Sequence, residues 1–449
     1  MMKPIQALAA DLAAGRTTAR ALANAAIARI RDTSGEGARA FVHLDEARIR
    51  AEADASDALR KAGIVPSPLA GIPVSVKDLL DVKGEVTRAG SIVLKDEKPA
   101  AADAEIVRRL RAAGAIVAGR TNMTEFAFSG LGLNPHYGTP SSPWDRKTGR
   151  IPGGSSAGAG VAVADGMSAA AIGTDTGGSI RIPAALNGIT GFKPTARRVP
   201  TTGCFPLSKS LDSIGPLAPT VACCALVDAV LSGGPIEVPE ALPLAGLRFA
   251  VPQTLVLDEM DDTVAQAFAD ALTALSQAGV KITEIAFKEF GDIPQINAKG
   301  GIIGAEAFAI HRQRVARDGN RYDPRVRVRI ERGGQMNVAD YIDVLNARTR
   351  LIAAADAITA HYDAMLMPSV PRIAPPIAEL KASDDAYAKN NVLMLRNTTV
   401  GNFLDRCGLS IPCHRAGEAP VGLMVVGETM GDRRLLGIGQ AVEAALSKG

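Results

Sequence analysis

"SPLAGIPVSVKDLLDVKG", Ser67 to Gly84, switches from polar punctuation to a short apolar run, Gly71 to Val76, bounded by proline and glycine. A run of this length reads as a buried strand. It closes on Lys77, where a charge is costly if the strand end is buried and an ordinary surface lysine if it is not. Downstream, Asp103 to Ala113 places Ile106, Leu110 and Ala113 at helical spacing, and "GAIVAGRT", Gly114 to Thr121, follows as a second strand. Strand, helix, strand in succession is the signature of an α/β sheet.

The pattern returns as "GLRFAVP" (246–252), "DDTVAQAFADALTALSQAG" (261–279) and "VKITEIAF" (280–287), with Val264, Phe268, Ala271, Leu272 and Leu275 on one helical face. Between the two units runs "GGPIEVPEALPLAG" (233–246), whose prolines suit a link between lobes. The first sixty residues read as helices: in "TTARALANAAIARIRD" (17–32), Thr17 or Thr18 caps a stripe of Leu22, Ala26 and Ile30. From Phe290 to about Arg350 the chain is polar and helical in flavour, and its densest basic run, "YDPRVRVRIERG" (322–333), reads as a solvated face.

Composition limits the function. The 449 residues carry 50 basic and 47 acidic side chains, a net charge of +3, and only 4% aromatics, so no basic stripe interleaved with aromatics offers a nucleic-acid surface. Cys204, Cys223, Cys224, Cys407 and Cys413 form no CxxC pair, and no secretory h-region precedes them, which predicts a reduced, cytoplasmic protein. The most apolar stretch, Gly158 to Ile172, contains Asp165, so no membrane span is expected.

Two serine-bearing loops compete for the chemistry. "GGSSAGAG" (153–160) has no lysine to serve as a phosphate loop, but Gly154-Ser155-Ser156-Ala157-Gly158 fits a nucleophile elbow, with Asp363 or Asp405 and His414 as partners. The polar, proline-interrupted stretch before it is a poor elbow strand. Ser179 has the better setting, because "SAAAIGTD" (168–175) can be a buried strand and "SIRIPAALNG" (179–188) can open a helix. The chain must then turn sharply at Gly177 and Gly178, and backbone N–H groups can converge there on an oxyanion; the alternative is a plain strand-to-helix turn. A serine needs a base, and a lysine kept neutral by burial can act as one. His43, His136, His311, His361 and His414 are scattered, leaving Lys77 as the odd basic residue.

"GIPVSVKDLLDV" (71–82), "GGSSAGAGVAVADG" (153–166) and "GTDTGGSIRIPAALNGITGFKPT" (173–195) resemble, in order, the three signature blocks of the amidase signature family, with the family's 24-residue interval from Ser155 to Ser179. Likeness continues through "AFVHLDEARIRAEA", "VRRLRAAGAIVAGRTNMTEFAFSG", "SLDSIGPLAPT", "YDAMLMPSVPRIAPP" and "APVGLMVVGETMGDRRLL", nearly the whole chain. The resemblance implies a single large α/β domain over 1–449, a central mixed twisted β-sheet covered on both faces by α-helices. Within it, 1–60 would be N-terminal helices, 61–233 the core with the signature blocks, and 234–449 the remaining sheet and helices.

It also implies Ser179 as nucleophile, Ser155 as relay, Lys77 as base, a cis bond between Gly154 and Ser155, and an oxyanion hole near Thr176, Gly177 and Gly178. Ser156 becomes a supporting hydroxyl, and Asp175 and Arg181 either support the loop or form a structural ion pair. Met123 and Phe126, with Phe128 and Ile180, are expected to line a partly apolar pocket. No metal or cofactor is implied, and the partner is a small amide, with no nucleic acid and no membrane; a homodimer is left open. The leading reading is a stand-alone amidohydrolase. The second is the glutaminase subunit of a tRNA-dependent amidotransferase, in which Arg325 or Asp212 would grip glutamine's charged end. A non-catalytic scaffold is the third, disfavoured by the intact Lys77, Ser155 and Ser179 set.

Overall fold

The computed structural model describes residues 1–447. Both strand-helix-strand units form, and eleven strands result: β1 Phe41–His43, β2 Pro73–Lys77, β3 Ile116–Thr121, β4 Ala170–Asp175, β5 Thr190–Lys193, β6 Ser213–Ala218, β7 Arg248–Pro252, β8 Lys281–Ile285, β9 Ala364–Pro368, β10 Gly408–Pro412 and β11 Gly422–Val426. They build one mixed sheet in the order β1-β3-β2-β4-β6-β5-β10-β11-β9-β7-β8. β3, β2 and β4 run parallel, as do β8, β7 and β9 at the far edge. Antiparallel ladders through β6, β5, β10 and β11 join the two groups.

That continuity corrects the reading of the proline-rich stretch as a link between lobes. β9 pairs with β7 on one side and β11 on the other, so the second unit extends the first unit's sheet. The stretch itself is fastened down, with Leu244 buried and the Leu242 N–H donating to the Gly437 carbonyl at 3.2 Å. The helical N-terminus also differs in one place. Thr18 caps the helix Ala19–Arg31 by accepting the Ala21 N–H, yet Phe41–His43 leaves the helical run and pairs with β3 at the sheet edge.

Burial explains the order of the centre. All five residues of β2 and all six of β4 are buried, as expected for parallel strands covered on both faces. The helices Gly301–Asp318, Pro324–Gly333, Val338–Thr359 and Asp384–Phe403 occupy the polar second half of the chain. The basic run is an ion-paired helix face: Arg325 meets Asp384 at 2.7 Å, Arg327 meets Glu331 at 2.7 Å, and Arg329 donates to the Tyr387 hydroxyl at 3.0 Å. Among the described residues, no helix is long and apolar enough to cross a membrane.

Candidate active site

β2 carries Lys77 to its C-terminal end between β3 and β4, where the side chain is wholly buried. Its Nζ lies 2.7 Å from Ser155 Oγ and 2.8 Å from Thr174 Oγ1, within hydrogen-bond reach of both. Burial disfavours the ammonium and pushes the Lys77 pKa from 10.5 down to about 7, against the opposing pull of Cys204, Asp212 and Asp175. A neutral amine has one lone pair and two N–H groups, so it can accept from Ser155 while still donating to Thr174.

Ser155 sits in the coil before the helix Ala157–Ala164, and its bond to Gly154 is cis. The Gly154 N–H donates to the Gly130 carbonyl at 2.8 Å, and the Ser155 carbonyl accepts the Thr124 N–H at 3.0 Å. Ser156, next in the chain, points its hydroxyl to the Thr174 backbone at 3.4 Å. The elbow partners do not gather around it. Asp363 pairs with Arg434 at 2.6 Å, Asp405 with Arg197 at 2.6 Å, and His414 lies 3.4 Å from the Val421 carbonyl.

Ser179 lies in the turn between β4 and the helix Arg181–Leu186, 4% exposed. Its carbonyl accepts the Ser156 N–H at 3.3 Å, which brings the two serine loops together. Among the described residues, no hydrogen bond joins the Ser155 and Ser179 hydroxyls, and the N–H groups of Thr176, Gly177, Gly178 and Ser179 have no partner. These four consecutive backbone N–H groups are therefore not engaged by the protein's own acceptors.

The turn is held from three sides. Thr176 Oγ1 donates to Asp212 Oδ1 at 2.5 Å, and the Gly177 carbonyl accepts the hydroxyls of Thr398 at 2.7 Å and Thr399 at 3.2 Å. Beneath it, Asp175 forms a two-point pair with Arg181 at 2.8 and 3.0 Å, both side chains being fully buried, and accepts the Ile180 N–H at 3.2 Å. Burial alone would raise the Asp175 carboxyl; the Arg181 guanidinium and the Asn402 amide outweigh it and hold the pKa at about 2. Gly178 has φ +138°, and a Cβ there would come within 2.1 Å of Thr398 Oγ1, so only glycine fits.

Most of the expected pocket residues are enclosed within the fold. Met123 is fully buried and Phe126 is 1% exposed, its ring against His311 (4.4 Å), Tyr322 (5.1 Å) and Phe205 (5.4 Å). Ile180 is buried with Ala159, Val163 and Leu217, whereas Phe128 is half-buried beneath the Arg329 guanidinium at 5.7 Å. Residues from distant helices approach the turn instead: Thr399, Leu395 and Ile303 would all lie within 3.7 Å of a Cβ on Gly177. Sequence reasoning missed Thr174, Thr398 and Asn402. For Thr174 a signal existed, a polar residue inside an otherwise apolar strand.

A model of the amidase family matches residues 21–436. The chain belongs to the amidase signature family. Similar proteins include the 2-amino-5-chloromuconic acid deaminase of Comamonas testosteroni, 37% identical over 91% of this chain and 89% of its own. A glutamyl-tRNA(Gln) amidotransferase subunit from Chloroflexus aggregans is 34% identical, with 96% of this chain and 94% of its own covered. A crystal structure of an amidase superposes with TM-score 0.88 at 32% identity, covering 98% and 99% of the two chains. The chain is thus an amide-hydrolysing enzyme with the family's single-domain α/β fold.

Proposed function

We propose that this amidase hydrolyses the C–N bond of a small amide through an acyl-serine intermediate, with Ser179 as nucleophile, Ser155 as proton relay and Lys77 as base. The observation that carries the reading is the wholly buried Lys77 amine 2.7 Å from Ser155 Oγ. As Ser179 Oγ bonds to the amide carbon, its proton passes to Ser155 and that of Ser155 to neutral Lys77. The carbonyl electron pair moves onto oxygen, which the free amides of Thr176, Gly177 and Gly178 receive; each such donor contributes roughly 3–4 kcal/mol to the transition state. The proton then returns to the leaving nitrogen as the C–N bond breaks, and water repeats the sequence on the acyl-enzyme to release the carboxylate. Ser156, Asp175 and Arg181 hold the loops that carry these groups.

The enzyme acts alone. The charged groups considered for gripping glutamine are engaged within the fold, Arg325 with Asp384 and Asp212 with Thr176, Leu207 and Ser208. The deaminase likeness supports a product side that includes ammonia. All five cysteines are free thiols, which fits a reducing cytoplasm. The second reading, the glutaminase component of an amidotransferase, draws on the 34% identity to the Chloroflexus aggregans protein. Ammonia release by the purified chain from primary amides, aryl amides, ureas and glutamine separates the two. Turnover of a non-glutamine amide without partners is expected; glutamine turnover that appears only with added partner subunits decides for the second. Because the base must be neutral, kcat/KM should climb as pH rises through about 7.

A further inference from the structure

Asp212 has no part in the proton relay, yet it sits where the relay and the amide turn meet. The register that pairs Asp175 with Ser213 sets Asp212, the residue before β6, beside Thr176, the residue after β4. Its buried carboxylate accepts the Thr176 hydroxyl at 2.5 Å and the N–H groups of Leu207 at 3.0 Å and Ser208 at 3.2 Å. The loop that carries it is anchored from outside, since Glu306 on the helix Gly301–Asp318 accepts the Ser208 hydroxyl at 2.7 Å, the Ser210 N–H at 3.1 Å and the Tyr341 hydroxyl at 3.0 Å. Resting on the catalytic roles proposed for Lys77, Ser155 and Ser179, we propose that Asp212 is a positioning residue of the reaction, fixing through the Thr176 hydroxyl the turn whose free amides receive the oxyanion.

Three polar donors on one carboxylate leave Thr176 a single side-chain orientation, and the Thr176 and Gly177 amides inherit it. Without that tie, the turn keeps the far-side hold on the Gly177 carbonyl and the Asp175 anchor beneath it, but nothing fixes the Thr176 side chain. The same carboxylate is one of three groups that face Lys77, with Asp175 and the Cys204 thiol. Its negative charge favours the ammonium, so neutralising it leaves the amine free of its proton at lower pH. Burial raises the Asp212 carboxyl to about 6, so it is mostly ionised at pH 7 and above, and its pull on the lysine fades as pH falls through 6.

The test is steady-state hydrolysis of 4-nitrophenyl acetate from pH 5 to 9 by the wild-type chain, Asp212→Asn, Thr176→Val and Thr176→Ser, with Ser179→Ala and Lys77→Ala alongside. Asp212→Asn should lose about 10- to 100-fold in kcat, the scale of a misplaced catalytic group, with KM changed less than threefold. Its acid limb should move to lower pH. Thr176→Val should show a comparable kcat loss with the acid limb in place, and Thr176→Ser should recover most of it. If Asp212→Asn keeps wild-type kcat, or if the loss follows only the folded fraction measured by circular dichroism, Asp212 is structural and the proposal is overturned while the catalytic reading stands. If Ser179→Ala and Lys77→Ala match the wild type, the catalytic reading falls and takes this inference with it.

Discussion

Replacing Lys77 with methionine should abolish turnover and, at neutral pH, make the protein more stable. The wild-type side chain is fully buried, and its pKa falls from 10.5 to about 7 on folding. The unfolded chain therefore binds a proton that the folded chain gives up between those two values, and wild-type stability rises with pH across the window. At about 1.4 kcal/mol per pH unit, the buried amine costs roughly 5 kcal/mol at and below pH 7, and nothing above about 10.5. Methionine keeps the apolar stem and removes this cost. It also strips a partner from the Ser155 and Thr174 hydroxyls, about 1–2 kcal/mol each. Lys77→Met should then be more stable than wild type by about 1–3 kcal/mol at pH 7 and less stable by about 2–4 kcal/mol near pH 10.5. Urea unfolding followed by far-UV circular dichroism, at half-unit steps from pH 6.5 to 10, reads the difference directly. The slope decides the matter, because hydrogen-bond loss does not vary with pH. A difference that stays flat from pH 7 to 10 would mean the amine ionises alike in both states, and neutral Lys77 as base would be refuted.

Ser179→Ala should remove turnover with the melting temperature within a degree or two of wild type, and a slow acylating substrate should add its mass to the peptide containing Ser179; an adduct on Ser156 would restore the elbow. Gly178→Ala places a Cβ 2.1 Å from Thr398 Oγ1 at φ +138°, so kcat should fall at least about 100-fold, with stability down by about 3 kcal/mol on calorimetry. Asp175→Asn leaves the fully buried Arg181 without its counter-charge and should cost about 3–5 kcal/mol in denaturant unfolding; an unchanged midpoint would show that Asn402 alone satisfies the guanidinium.

What could be read from residue order was local. The units 71–121 and 246–287 declare themselves because strand and helix periods alternate with glycine and proline between them, and both form as read. The antiparallel centre was not legible. β5, β10 and β11 are four or five residues long, and their pairing joins Gly191 to Ser410, partners more than two hundred residues apart. β1 was hidden by its three-residue length inside a helical stretch. At the site, Lys77 was visible because a charge closing an apolar strand is locally anomalous. Asp212 was noticed only as a charge for glutamine, since its tie to Thr176 arises from strand register that no local pattern encodes. Thr398 and Asn402 were invisible for the same reason: a polar residue in a helix gains meaning only from what the helix lies across.

The chemical groups and the walls around them come from different stretches of the chain. Lys77, Ser155, Thr176 and Ser179 arrive from the β2 to β4 region, while Ile303, Leu395 and Thr399 reach the same turn from two late helices. On the proposed catalytic roles, the apolar side chains from the late helices can change while the residues of the β2 to β4 region stay fixed. A combinatorial library confined to Ile303 and Leu395, with Thr399 kept for its bond to the Gly177 carbonyl, can therefore vary the apolar contacts at the turn while its anchors stay in place.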